Sequence, residues 1–160
     1  MKIAVVSDTH SHTEMIQSVL HLIEPYHVEF ILHCGDIEDA DAVLLFPSKI
    51  HFVLGNCDMD RTDIIAAVNE IGAALHEPFG HLELDDKAIA FLHGHDKRLL
   101  RDLEQTNTFD FIFHGHTHQA EDRRSGRTRV INPGALFRAR SKTFVIVDLK
   151  SEKVESVKVE

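Results

Sequence analysis

Five apolar runs in this chain stop abruptly at a polar cluster, and four of the five clusters contain glycine. Lys2 to Val6 ends in Ser7-Asp8-Thr9-His10, and Val28 to His33 ends in Cys34-Gly35-Asp36. Ile50 to Leu54 ends in Gly55-Asn56-Cys57-Asp58, and Ala88 to Leu92 ends in His93-Gly94-His95. Phe109 to Phe113 ends in His114-Gly115-His116-Thr117-His118. Short apolar runs bounded in this way read as buried strands. In α/β sheets the ligand crevice lies beyond the carboxyl ends of the strands. The pattern therefore brings Asp8, His10, Asp36, Asn56, His93, His116 and His118 to equivalent places around one crevice.

The segments between the runs supply helices. Thr13 to Ile23 carries Met15, Val19, Leu20, Leu22 and Ile23 near helical spacing, and Pro25 ends it. Ala40 to Phe46 is a short helix before Pro47. Asp63 to Ile71 is a third, with Thr62 as its cap. Arg98 to Glu104 is a fourth. The second half is richer in strands: a hairpin of His81 to Leu84 with Ala88 to Leu92 across Asp85-Asp86. Glu121 to Arg124 and Thr128 to Ile131 flank a turn at Ser125-Gly126. Asn132-Pro133-Gly134 is a turn, and Thr143 to Leu149 and Val154 to Val159 close the chain. The order is βαβαβα followed by mostly β. It predicts a mixed α/β domain with two packed sheets and helices outside. At 160 residues, one domain over 1–160 is expected.

The net charge of −9 disfavours a surface that coats nucleic acid, which needs a basic face. The one basic cluster, Arg123, Arg124, Arg127 and Arg129 with Arg138 and Arg140 beyond, reads as a solvated hairpin. An anion-guiding rim is the sharper alternative. No apolar run reaches bilayer length, and MKIAVVSDTH lacks the pattern of a secretory leader, so a cytoplasmic protein is expected. Cys34 and Cys57 form no CxxC pair and read as free thiols.

The ligand chemistry is coherent. Carboxylate, amide and imidazole groups suit Mn, Fe, Ni, Co or Zn. Seven such groups exceed one tetrahedral site and suit two ions that share a carboxylate. Taken singly, Asp8-Thr9-His10 fits an Asx turn, and Gly35-Asp36 and Gly55-Asn56 fit ordinary turns. Gly115-His116-Thr117-His118 is the most specific piece. Five such pieces, all at strand ends, argue together for a metal centre. His12 and His95 lie close in sequence to ligands and read equally as substrate contacts or as exposed loop histidines. His33 and His114 read as supporting or packing residues.

The order Asp8-Thr9-His10, Gly35-Asp36, Gly55-Asn56, His93 and Gly115-His116-Thr117-His118 resembles the calcineurin-like metallophosphoesterases. The segments SDTH, HCGD, GNCD, HGH, GHTH and INPG resemble the small prokaryotic phosphodiesterases of the YfcE type within it. The resemblance implies a four-layer αββα sandwich, two mixed β-sheets face to face between helices. It implies that Asp8, His10, Asp36 and His118 hold one divalent ion and Asp36, Asn56, His93 and His116 a second, with Asp36 bridging and manganese as the first choice of metal. Asn56 and His93 would also stabilise charge on the phosphoryl oxygens. Two ions about 3.5–4 Å apart can bridge a hydroxide that attacks phosphorus. The expected activity is hydrolysis of a small phosphodiester. A phosphomonoesterase on the same site and a non-catalytic scaffold like the retromer subunit of this fold are the alternatives, and self-association is open.

The chain departs from the family at two places. Many members carry a histidine after Gly-Asn that protonates the leaving group, whereas this chain has Cys57. A thiol is a poor general acid near neutral pH. The branch also shows serine after Asn-Pro-Gly and then a Pro-Arg pair, where this chain has Ala135 and Phe137-Arg138-Ala139-Arg140.

Overall fold

The computed structural model describes residues 1–160. The first half runs β1 (Lys2–Val6), α1 (Thr13–Ile23), β2 (Phe30–His33), α2 (Ala40–Leu44), β3 (Ile50–Val53), α3 (Arg61–Glu70) and β4 (Ala74–His76). The second runs β5 (Gly80–Leu84), β6 (Lys87–Phe91), α4 (Lys97–Thr106), β7 (Phe111–Phe113), β8 (Glu121–Ser125), β9 (Thr128–Asn132), β10 (Thr143–Asp148) and β11 (Lys153–Lys158).

The strands form two mixed sheets. One has the order β11-β10-β1-β2-β3-β4 and the other β5-β6-β7-β9-β8. In the first, β1 to β4 are parallel, with Ile3 opposite Phe30 and Ile31 opposite Ile50. In the second, β6, β7 and β9 are parallel and the two edge strands are antiparallel. The five polar clusters follow β1, β2, β3, β6 and β7, all parallel strands, so they emerge at carboxyl ends.

Alternation along the strands divides the apolar residues among three cores. Ile3, Val5, Leu32, Val53, Phe91, Phe113, Ile131 and Val145 fill the space between the sheets. Ala4, Val6, Ile31 and Phe52 face the other way and pack on Ile16, Val19, Val43, Ile64 and Val68 of α1 to α3. Ala90, Ile112 and Val130 take Leu103 of α4 on the far side. The layers are therefore helices, sheet, sheet and helix. Burying each Val, Leu, Ile or Phe among them favours folding by about 1.5–3 kcal/mol relative to leaving it exposed.

Helix ends follow local chemistry. Asp39 caps α2 by accepting from the Ala42 N–H at 2.8 Å. Asp96 caps α4 by accepting from the Arg98 and Leu99 N–H groups, both at 3.0 Å. Two expectations are corrected. The helix predicted from Asp63 begins at Arg61, so Thr62 lies inside it and Asp60 takes the cap position. β2 begins at Phe30 rather than Val28, because the chain is still leaving the turn after α1, where His27 is left-handed. β4 is an additional edge strand. Its three residues are too few to show alternation.

The arginine cluster reads as the solvated hairpin. Arg123 pairs with Glu104, Arg129 with Asp122, Arg127 with Asp110 and Arg124 with Glu152. Pairs of this kind at a surface contribute little stability each, and they leave no free cationic rim on β8 and β9. Cys34 and Cys57 are free thiols. No helix is long and apolar enough to cross a membrane.

Candidate metal centre

The loops after β1 and β2 are joined by main-chain bonds. The N–H groups of Asp8, His10 and Ser11 donate to the carbonyls of Gly35, Asp36 and Ile37 at 3.1, 3.0 and 3.0 Å. Five of the seven expected ligands, Asp8, His10, Asp36, His116 and His118, have positive φ. Side-chain-bearing residues take that conformation only where the surroundings impose it, and such residues collect at functional sites.

The first group of side chains comes from the loops after β1 and β7. His10 Nε2 and His118 Nε2 are 3.3 Å apart. Asp8 Oδ1 lies 3.2 Å from His118 Nε2 and 3.9 Å from His10 Nε2. Asp8 is fully buried, and its Oδ2 accepts from the Ser7 hydroxyl at 2.5 Å and the His116 N–H at 3.1 Å. Its Oδ1 has no hydrogen-bond partner. A buried carboxylate oxygen left unpaired is costly unless a cation meets it.

The second group comes from the loops after β2, β3 and β6. Asp36 Oδ1 accepts from the Cys57 N–H at 2.9 Å. Its Oδ2 lies 3.7 Å from His10 Nε2 on one side and 3.3 Å from His93 Nε2 on the other. His93 Nδ1 donates to the Cys34 carbonyl at 2.8 Å, so in the neutral ring Nε2 is a bare lone pair. That lone pair faces Asn56 Oδ1 at 3.1 Å, a second acceptor. The His116 ring stands edge-on to His93, with centroids 5.1 Å apart. With His93 neutral, its Nε2, Asp36 Oδ2 and Asn56 Oδ1 are three converging acceptors.

The electrostatics agree. Burial pushes the Asp36 carboxyl upward, but the hydrogen bond and charge of His93 and the Cys57 N–H outweigh it and hold Asp36 well below the usual carboxylate range. Burial opposes the charged form of His93, yet Asp36 and then Asp8 raise its pKa. Burial, then the neighbouring His93, lowers His116. The donor set of carboxylate, amide and imidazole atoms, with the unpaired Asp8 Oδ1, fits divalent cations.

Several supporting residues escaped the sequence reading. Asp58 lies buried beneath the site. Its Oδ2 accepts from the N–H groups of Asp36 and Gly55 at 3.0 and 2.6 Å, and its Oδ1 from that of Glu38 at 2.6 Å. Asn132 Nδ2 donates to the Gly115 carbonyl at 2.9 Å and Thr117 Oγ1 at 3.0 Å, pinning the loop after β7. Glu38 accepts from His10 Nδ1 at 2.6 Å. The available signal was position: Glu38 and Asp58 each follow a ligand by two residues. His33, expected to support, does so. Its Nδ1 accepts from the Gly35 N–H at 3.2 Å, so Nε2 carries the proton and bonds Thr9 Oγ1 at 3.0 Å. Two glycines are required by close approach: a Cβ on Gly55 would strike Asp36 Oδ1, and one on Gly115 would strike Ser7 Oγ and Asp8 Oδ2.

The rim divides the two expected substrate contacts. His95 is exposed, its ring centroid 5.4 Å from that of His93 and 6.2 Å from that of His116. His12 stands apart from the ligand groups. Its nearest aromatic partner is Phe137 at 5.4 Å, which itself lies 5.7 Å from His10. The Cys57 thiol, pushed up to about 11 by burial and by Asp36, is a neutral S–H near neutral pH.

Two mixed sheets lie face to face, with candidate oxygen and imidazole ligands gathered at the ends of their parallel strands, in an α/β sandwich. The calcineurin-like phosphoesterase superfamily domain matches residues 1–152, and the chain belongs to that superfamily. It is a metal-dependent phosphoester hydrolase. It is 29% identical over 138 residues to a phosphodiesterase of Methanocaldococcus jannaschii, covering 84% of this chain and 83% of that protein. A solved archaeal phosphodiesterase superposes with a TM-score of 0.92 at 25% identity, over 99% of this chain and 100% of that one. The YfcE phosphoesterase of E. coli shares the fold, with a TM-score of 0.71 at 19% identity over 100% of both chains.

Proposed function

We propose that the chain hydrolyses small phosphodiesters with two divalent cations, manganese first among Mn, Ni, Fe, Co and Zn. Asp8, His10, Asp36 and His118 would hold one ion. Asp36, Asn56, His93 and His116 would hold the other. The carrying observation is the division of labour on Asp36: the Cys57 N–H occupies Oδ1, and Oδ2 faces His10 Nε2 at 3.7 Å and His93 Nε2 at 3.3 Å. That is the arrangement a bridging carboxylate needs.

Two bound ions supply Lewis acidity and a water nucleophile activated near neutral pH. The chain supplies the remainder. Asn56 and His93 would border the phosphoryl oxygens, where their dipoles would stabilise the negative charge that grows during displacement. His95 meets the substrate at the rim, and His12 touches the outer part of a larger substrate across Phe137. Cys57 is a weak proton donor, so the leaving group departs largely as its own anion. Esters with acidic leaving groups are therefore favoured.

The test is Asp36→Asn with metal analysis and a phosphodiester assay. The expected result is loss of bound metal together with loss of hydrolysis. Full metal content with unchanged hydrolysis would overturn the bridging role. Wild-type protein inactive on phosphodiesters, phosphomonoesters and cyclic nucleotides with every metal would overturn the enzymatic reading in favour of a scaffold.

A further inference from the structure

We infer that Glu38 is a positioning residue for the first metal ion: its carboxylate fixes the tautomer of His10 so that Nε2 presents a lone pair to the cation. The inference rests on the two-metal reading above and concerns a residue outside the seven ligands.

His10 Nδ1 and Glu38 Oε1 are 2.6 Å apart. An ionised carboxylate only accepts, so the proton must sit on Nδ1. Nε2 is then bare, and it is the atom that faces His118 Nε2 at 3.3 Å, Asp36 Oδ2 at 3.7 Å and Asp8 Oδ1 at 3.9 Å. A histidine ligand gains basicity and a fixed ring plane when its other nitrogen donates to a carboxylate. The comparison within the site is informative. His93 donates to a neutral main-chain carbonyl, that of Cys34, and His118 Nδ1 has only the Arg138 carbonyl at 3.5 Å. Of these three rings, only that of His10 meets a carboxylate through its Nδ1.

The backbone is arranged for this contact. Glu38 has φ of 77°, a conformation that a residue with a side chain rarely adopts. It is held there because its N–H donates to Asp58 Oδ1 at 2.6 Å, while the preceding carbonyl of Ile37 accepts from the Ser11 N–H at 3.0 Å. Packing does not explain the residue: the Glu38 side chain is 38% exposed and belongs to none of the three cores. Strain retained at a half-exposed position, aimed at an expected ligand, indicates function.

His10, Glu38 and Cys57 also bring ligand atoms within 4.8 Å of one another. A competing account makes these three a coordination set in its own right, and the test separates the two. Glu38→Gly removes the carboxylate and suits the positive φ, so folding is preserved. Glu38→Gln retains an acceptor oxygen. Imidazole ¹⁵N spectra of the metal-free protein report the His10 tautomer, and calorimetry with Mn²⁺ alone reports affinity. The wild type should show the Nδ1–H tautomer. Glu38→Gly should give mixed tautomers and about 10–100-fold weaker binding of the first ion, and Glu38→Gln should restore the tautomer and much of the affinity. A glycine variant with wild-type tautomer and affinity would overturn the inference. So would a Cys57→Ser variant that weakens Mn²⁺ binding as much as Glu38→Gly does. An inactive wild type would instead count against the phosphodiesterase reading, and the metal-free tautomer would still decide the role of Glu38.

Discussion

His10 Nε2 and His118 Nε2, 108 residues apart in the chain, stand 3.3 Å from each other. His10 cannot supply the proton in its neutral form, because Glu38 holds it on the opposite nitrogen. Beside them Asp8 Oδ1 is buried and unpaired. A cation relieves this concentration of lone pairs, so metal binding and folding are linked. At a free Mn²⁺ concentration about 100 times the dissociation constant, binding adds about 2.7 kcal/mol. For a chain of this size the gain corresponds to a Tm rise of about 5–10 °C over the chelated protein. Scanning calorimetry with and without chelator measures it, and equal Tm values would count against a metal centre in the folded state.

Gly115 has no room for a side chain, since a Cβ there would meet Ser7 Oγ and Asp8 Oδ2. Gly115→Ala should displace Asp8 and weaken the first ion more than the second. Titration calorimetry should show one high-affinity event weakened and the other largely retained. Two unchanged binding events would mean that the loop after β7 yields without moving Asp8.

Asp58 satisfies three main-chain N–H groups from the loops after β2 and β3. Asp58→Ala leaves those donors unpaired in a buried place, which costs about 3 kcal/mol or more in total. Denaturant unfolding of the metal-free protein checks the figure. A loss below about 1 kcal/mol would show that water replaces the carboxylate.

Cys57 stands where many relatives in the family carry an imidazole proton donor, and its thiol is pushed up to about 11. Cys57→His should leave esters with an acidic leaving group such as p-nitrophenol little changed. Diesters with an alkyl leaving group should gain about 10-fold or more, toward the lower end of general-acid effects. An equal change for both substrate types would place the effect on binding rather than on proton donation.

The metal-free protein should lose stability in mild acid. His33 is fully buried, and burial, then the charge of His93, lowers its pKa to about 3. His51 and His76, which bond each other at 2.9 Å, are also lowered by burial. A depressed histidine is neutral in the fold and takes up its proton first in the unfolded chain. The stabilisation is therefore complete above about pH 6.5, the unfolded value, and is lost as the pH falls toward the folded value. Each such histidine contributes a slope of up to about 1.4 kcal/mol per pH unit in that window. Urea midpoints between pH 7 and pH 4 measure it. A flat profile would show that His33 is solvated in the native state.

Much of the site is local and therefore legible in sequence. Whether a residue lies at the end of a strand depends on a few neighbours: an apolar run on one side and a glycine or polar cluster on the other. Asp8, His10, Asp36, Asn56, His93, His116 and His118 were marked in that way. α1 was bounded correctly for the same reason, its apolar spacing and Pro25 being local features. What surrounds the ligands is not local. The contact of Glu38 with His10 spans 28 residues, that of Asn132 with Gly115 spans 17, and that of Asp58 with Asp36 spans 22. A carboxylate two residues after a ligand gives no sign of which distant atom it will meet. β4 escaped because its pairing with β3, rather than its own three residues, makes it a strand. The arginines of β8 and β9 were ambiguous for a related reason: their acidic partners are Asp122 across the hairpin and Glu104, Asp110 and Glu152 outside it. The sequence by itself determined the candidate ligand types and their places at strand ends, because backbone period and burial are short-range. Only the tertiary structure decided which atoms face each other and which nitrogen of His10, His33 and His93 is bare, because hydrogen-bond partners are chosen in space.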